Sequence, residues 1–317
     1  MLSRRPQKAA QQHQKTGYAN PASLVIDDLV AYKRFEKLLP LQSETIRSLQ
    51  SGSFLSPFRG RGMEFTEARP YQAGDDIRHL DWRLTARIGK PHSKVFQEER
   101  ERMIFLWVDL HPAMFFATQG AFKSVVAAHA AALIAWNAAQ QGNRVGGIIT
   151  SPDHHTEVRP LLGKRGVLHF FQQLVQHPAW HRPPNVSSSI PGDTFLRLRR
   201  VVKSGSLIFL FSDMRNITSD DELQLSQMAR HNDIILCHIH DTLETTLPPA
   251  GRYKVTDGDR TTTIDTGNAP FRRQYAASFA LRSEYLRALC LKQGLHLISL
   301  ATDADLVHTI RNGLGRH

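Results

Sequence analysis

Asp109 closes the apolar run IFLWVD (104–109), and Ser212 with Asp213 closes a second, LIFLFSD (207–213). Carboxylates at the ends of two buried strands suit a hard divalent cation such as Mg²⁺, which seeks several oxygen ligands and keeps waters beside them. The alternate positions after Asp109 hold His111 and Ala113, so two hydroxyl ligands are missing and a ring nitrogen that Mg²⁺ accepts poorly stands in their place. Asp109, His111, Ser212 and Asp213 are therefore a candidate metal set degraded for magnesium. No cofactor is expected to be required. Weak binding of a divalent metal is expected, with a nitrogen-tolerant ion such as Zn²⁺ or Ni²⁺ favoured through His111. The competing use of both aspartates is to cap the helices or loops that follow them.

A second concentration of charge, Asp75, Asp76, Arg78, His79, Asp81, Arg83 and Arg87 around Trp82, has the composition of an active site but not its order. It lacks the spacing of a His-Glu-x-x-His or paired-cysteine metal site, and it offers no nucleophile with an oriented base. It reads as an ion-pair network with Trp82 as an apolar anchor. The sixteen histidines, His154 and His155 among them, show no ligand spacing and read as surface or loop residues. Cys237 and Cys290 sit in apolar runs without partner spacing, as buried reduced thiols do. The segment Gly163-Lys164-Arg165-Gly166 lacks the upstream glycine and the hydroxyl of a phosphate-binding loop. No catalytic residue is expected.

The elements that must position these residues follow from hydrophobic period. Residues 1–50 read as a basic arm followed by a helical lead-in, with Leu24, Leu29, Phe35, Leu38 and Leu39 on one side and Pro40 as a break. Residues 51–101, rich in Gly, Arg, Asp and aromatics with repeated turn signals, read as a small β-rich unit of short strands. From 102 to 317 continuous apolar strands alternate with helical stretches, including a helix at 122–140 with Phe122, Val125, Val126, Leu133 and Trp136 on one stripe. A short hairpin at 253–264 interrupts the alternation. That alternation predicts an α/β fold, a mostly parallel sheet flanked by helices on both faces. In such a sheet ligands lie beyond the carboxyl ends of the strands, where Asp109 and Asp213 are placed.

The chain has 317 residues, a hydrophobic share of 41% and a formal net charge of +11. Its apolar content suffices for a full core, and no apolar run reaches the roughly 18 residues of a membrane helix. The start, MLSRRPQKAAQQHQK, does not read as a secretory signal, and a cytoplasmic location is expected. Arginines interleaved with acids argue against nucleic acid as the main partner.

The ordered blocks GRGMEF (60–65), RPYQAGDDIRHLDWRLTAR (69–87) and EERER (98–102) resemble the domain of unknown function 58 family. Gly60, Gly62, Phe65, Arg69, Tyr71, Gly74, Asp75, Asp76, Arg78, Asp81, Trp82 and Arg87 carry the resemblance. Shorter matches fall at Lys123, at LFSDM (210–214) and at 241–248, where Thr242 stands in place of a proline. The resemblance implies a von Willebrand factor A-like, Rossmann-like domain in which Asp109, His111 and Ala113 align with an Asp-x-Ser-x-Ser metal-ion-dependent adhesion site that has lost both hydroxyls. It also implies a protein partner, a MoxR-type AAA+ ATPase. The leading expectation is a non-enzymatic cytoplasmic scaffold or adaptor assisting that ATPase in assembly or maturation of a protein complex. The alternatives are a metal-dependent hydrolase or nuclease at Asp109, Asp213 and His111, and a nucleic-acid binder using the basic surface.

Overall fold

The computed structural model describes residues 18, 20–39, 41, 63–72, 80–98, 101–181, 194–215, 217–256 and 261–315. The chain divides into two compact units, Ser53–Glu101 and the remainder, Met1–Gly52 with Arg102–His317.

In the smaller unit β1 (Met63–Pro70) pairs antiparallel with β2 (His92–Glu98), with an irregularity between Phe65 and Glu67. Between them lies a helix, α1 (Trp82–Ile88), where short strands were expected. Its signals are local. The Asp81 carboxylate accepts from the backbone N–H groups of Arg83 and Leu84, and Gly89 ends the helix in the left-handed conformation. Trp82 is the first helical residue and is 66% exposed, so it is not the apolar anchor the sequence suggested. Arg87, in the last turn, is exposed, and Arg69 donates to the carbonyl of Pro70. Tyr71 pairs through its backbone N–H with the Pro91 carbonyl. Gly60, Gly62, Gly74, Asp75, Asp76 and Arg78 lie outside the described residues, as do most of the basic arm and the side chain of Phe65.

The larger unit is built on a six-stranded sheet. Its strands are β3 (Met103–Asp109), β4 (Arg144–Thr150), β5 (His155–Leu162), β6 (Leu207–Ser212), β7 (Asp233–His240) and β10 (His296–Ala301). They lie in the order β10-β7-β6-β3-β4-β5. All pairings are parallel except β4 with β5 at the edge. Pro160, which has no N–H to give a ladder, is tolerated on that edge strand. Separate from this sheet, β8 (Arg252–Thr256) and β9 (Thr261–Asp265) form the expected hairpin.

The strands are apolar on both sides because both faces are covered. Ile104, Leu106 and Val108 face a core shared with α3 (Lys123–Gln140), α4 (Gly163–Val175) and α9 (Leu306–Gly315). Phe105 and Trp107 face a second core with α5 (Thr194–Val201), α6 (Ser219–Ala229) and α8 (Ala269–Gln293). This is the physical reason for continuous rather than alternating apolar runs.

α3 departs from expectation in a useful way. One apolar stripe was expected, yet all its residues from Lys123 to Ala138 are buried. The lead-in covers its far side: the helix α2 (Ile26–Ala31) lays Leu29 into the same core, and after a 3₁₀ turn (Tyr32–Phe35) the chain adds Leu39 and Leu41. The helical spacing expected beyond Pro40 falls on residues 42–49, outside the described residues. Among the described residues no helix is long and apolar enough to cross a membrane.

Candidate functional site

After β3 the chain crosses to β4 and β5 on one side; after α5 it returns to β6 on the other. Strand order therefore reverses between β3 and β6, the point at which an open α/β sheet forms its crevice. Val108 pairs with Phe211, so Asp109 and Ser212 end neighbouring strands at one level, with Asp213 next along the chain. Asp109 and Asp213 converge as expected, and His111 joins them: one possible ligand atom from each of the three lies within 4.8 Å of the others.

The backbone fixes each group. The Asp109 carboxylate accepts the N–H of His111 at 3.0 Å on one oxygen and the Ser212 hydroxyl at 2.6 Å on the other. Ser212 Oγ in turn accepts the N–H of Met214 at 3.1 Å. Met214 is buried with φ 52°, the sole non-glycine residue at positive φ among the described residues. A strained position of this sort costs about 1–3 kcal/mol and persists because its surroundings over-determine it. Here Met214 packs into the second core while its amide holds Ser212. Gly120 sets the loop after β3 against β10: at φ 74°, a Cβ there would stand 1.9 Å from the Thr302 carbonyl oxygen.

Sequence reasoning missed the cation of this site. Lys123, the first residue of α3, is fully buried, and its Nζ lies 2.8 Å from Asp213 Oδ2 and 2.9 Å from Glu244 Oε1. Arg215 joins the same two acids, with Nε 2.9 Å from Asp213 Oδ2 and a second nitrogen on Glu244. Two acids face two bases, so the cluster is neutral without any ion. Glu244 arrives through a capping box: Asp241 caps the short helix α7 (Thr242–Thr245) and Glu244 reaches back to the Asp241 N–H. Thr242, in the position of the expected proline, is the first helical residue, where a proline is also accommodated. The signals were present in Lys123 opening an apolar helix and in the Asp241-x-x-Glu244 spacing, but neither names its distant partner.

Asp241 is a second knot. It accepts the Thr118 N–H at 2.8 Å, the Thr118 hydroxyl at 2.5 Å, the Leu243 N–H at 2.9 Å and the Thr302 hydroxyl at 2.8 Å. The loops after β3, β7 and β10 are thereby tied together.

The two central carboxyls titrate apart. Burial drives Asp109 up to about 7, against the lowering effect of the Ser212 hydrogen bond. Burial also acts to raise Asp213, but the Lys123 and Arg215 charges overcome it and hold that carboxyl below its usual range. Burial lowers His111, whose Nδ1 is buried without a hydrogen-bond partner.

This donor set does not fit a magnesium ion. Both Asp109 oxygens are engaged, Asp213 Oδ2 is shared by two cationic side chains, and Asp213 Oδ1 accepts the Arg215 N–H at 3.3 Å. His111 Nδ1, buried without a hydrogen-bond partner, is a ring nitrogen, which Mg²⁺ accepts poorly. Asp109, His111, Lys123, Ser212 and Asp213 are all buried. Other histidines expected on the surface are also buried, among them His129, His177 and His238. Cys237 and Cys290 are free and buried, as expected.

The chain is 26% identical over 302 residues to uncharacterized proteins of Mycobacterium bovis and Mycobacterium tuberculosis, covering 90% of this chain and 90% of theirs. It is also similar to the crystal structure of the conserved hypothetical protein BatB from Bacteroides thetaiotaomicron, at 12% identity and a TM-score of 0.36, over 68% of this chain and 100% of that one. Residues 67–285 match the family described as protein of unknown function DUF58, spanning the Asp81-capped helix, the Lys123 ion-pair cluster and the Asp241 knot, and the chain belongs to that family.

Proposed function

We propose that the chain is a non-enzymatic cytoplasmic adaptor with a von Willebrand factor A-like domain, which engages a protein partner through the loops at the carboxyl edge of its sheet and serves a MoxR-type AAA+ ATPase. The observation that carries this reading is the Lys123 ammonium between Asp213 and Glu244. A lysine tethered there supplies permanently what a metal would supply reversibly, and it holds the loops in one arrangement. Phe116, which is exposed and whose carbonyl accepts the Lys123 N–H, and the exposed Arg215 stand at the rim of that arrangement. A rim preorganised in this way binds a partner with little ordering cost.

A hydrolase or nuclease reading has one observation in its favour: neighbouring carboxyls driven apart in acidity are a common acid–base pairing. Their burial weighs against it.

The test combines the full chain with a MoxR-type ATPase from the same organism. Co-elution and a changed ATP turnover, both reduced by Phe116→Asp, are expected. Phosphodiester cleavage by the chain alone that disappears in Asp213→Asn would establish the hydrolase instead. Calorimetric titration of chelator-stripped protein addresses the metal. We expect Mg²⁺ affinity of about millimolar or poorer on the ligand count, with any tighter binding confined to Zn²⁺ or Ni²⁺ through His111. Micromolar Mg²⁺ binding by the unmodified protein would refute the substitution by Lys123. Binding gained only in the His111→Ser, Ala113→Ser double variant would show that the frame of a metal site persists.

A further inference from the structure

α8 is a 25-residue helix held to the domain along one side only. Leu286, Leu289 and Cys290 are buried beneath it. Tyr285 donates to the Glu222 carboxylate at 2.5 Å, and Gln293 Nε2 donates to the Glu222 carbonyl at 3.0 Å. On the opposite side Ala277, Leu281, Glu284, Ala288 and Leu291 succeed one another at intervals of four and three residues. That spacing places them in a single seam about 21 Å long. All five are exposed, Leu281 at 72% and Leu291 at 86%. Tyr285, and Leu223 next to Glu222 on α6, are two more exposed apolar side chains. Four of the eleven large apolar residues exposed among the described residues thus belong to α8 and the helix packed against it. Arg273, Arg287 and Lys292 flank the seam, and Glu284 pairs with Arg287 at 3.5 Å.

We propose that this face of α8 docks an acidic amphipathic helix of another protein, at a site separate from the carboxyl edge of the sheet. Three features select that occupant. Alternation of alanine with leucine leaves room for a helix to approach closely between the leucine knobs, as in coiled-coil packing. The three flanking cations ask for carboxylates at the edges of the partner, and Glu284 asks for one basic or amide residue at its centre. A second copy of this chain is a poor occupant, because the seam is centred on Glu284: antiparallel or parallel self-pairing in register sets two Glu284 carboxylates together. An anionic membrane would meet the same acid in the middle of the face it must cover, with only two leucines to insert.

The probe is a synthetic 21-residue helix with leucine at the two core heptad positions, glutamate at the flanks and one central lysine, labelled and titrated with the full-length protein. A twin with the flanking charges reversed is the control. Saturable binding of the acidic helix, weakened by salt and weakened at least about tenfold by Leu281→Ser with Leu291→Ser, is expected. Both substitutions are at exposed positions, and unchanged circular dichroism and denaturation midpoint show that the fold is intact. Equal binding of the reversed twin, or no saturable binding of either peptide, overturns the proposal. So does self-association in sedimentation that the double variant abolishes, or adsorption to phosphatidylserine vesicles in place of peptide binding. The seam and the rim at Phe116 are separable, since neither set of substitutions touches the other.

Discussion

Asp109 and Asp213 end neighbouring strands, and the protein pushes their acidities in opposite directions. The consequence for stability follows from linkage. Asp109 has a folded-state pKa of about 7 against 3.8 for the free group, so the folded chain binds its proton more tightly. Its contribution is fully present below about pH 4 and is lost as pH rises through about 7, with a slope near 1.4 kcal/mol per pH unit and a total of about 4 kcal/mol if the whole shift is expressed. Asp213 has the opposite sign: its stabilisation is present above the usual carboxylate range and is lost as pH falls. We predict that Asp109→Asn gains stability relative to the unmodified chain between pH 4 and pH 8 in urea unfolding. Parallel pH profiles would mean that Asp109 ionises as a solvated carboxyl does. Lys123→Met should cost about 3–5 kcal/mol, because it leaves two buried acids to Arg215 alone. A double-mutant cycle with Glu244→Gln isolates the pair, and additivity of the two losses would dissolve the cluster as a unit. Asp109, His111, Ser212 and Asp213 were readable because strands ending in acids are a local pattern. Lys123, Arg215 and Glu244 were not, because an ion pair between residues 123 and 244 is a product of topology.

At the scale of elements, the lead-in is what permits α3 to be apolar all round. Asn137 on α3 latches it with a complete set of bonds: its Oδ1 accepts the N–H groups of Leu38 and Leu39 at 2.9 and 2.8 Å, and its Nδ2 donates to the carbonyls of Phe35 and Leu133 at 2.9 and 2.8 Å. Trp136 Nε1 adds a bond to the Leu29 carbonyl at 3.0 Å. Asn137→Ala strands several of these backbone groups and should cost about 2–4 kcal/mol. Trp82→Ala, at an exposed helix start, should stay within about 0.5 kcal/mol. Denaturant midpoints of the two variants check both; the reverse order would mean that Trp82 is an anchor after all. Period alone shows that α3 is a helix and cannot show what lies on its second side, since a stripe and a fully buried cylinder differ by a partner elsewhere in the chain. α1 was missed for another reason. Seven residues are too few for an apolar period, and the evidence for a helix lay in its ends, Asp81 and Gly89.

At the scale of the whole molecule, alternation of continuous apolar strands with helices was enough to imply a mostly parallel, doubly covered sheet. The strand order, the antiparallel edge formed by β5 and the reversal between β3 and β6 were not legible, since pairing partners leave no mark within a strand. The net charge of +11 is the remaining global property, and its distribution bears on nucleic acid. Arg215 and Lys123 are consumed by Asp213 and Glu244, Arg102 by Asp233, and the arginines of α8 are spread around an apolar seam rather than gathered in a groove. Such a surface attracts phosphates without reading a sequence. We predict binding to duplex DNA only in the non-specific range, about 10⁻⁴ to 10⁻⁶ M at physiological salt, with affinity falling steeply as salt is raised. Fluorescence anisotropy on two unrelated duplexes of equal length, each across a salt series, checks it. Equal curves with one slope are expected, because counterion release counts phosphates and not bases. A nanomolar complex on one duplex alone would require base contacts that this distribution of charge does not supply, and would move the nucleic-acid reading ahead of the adaptor.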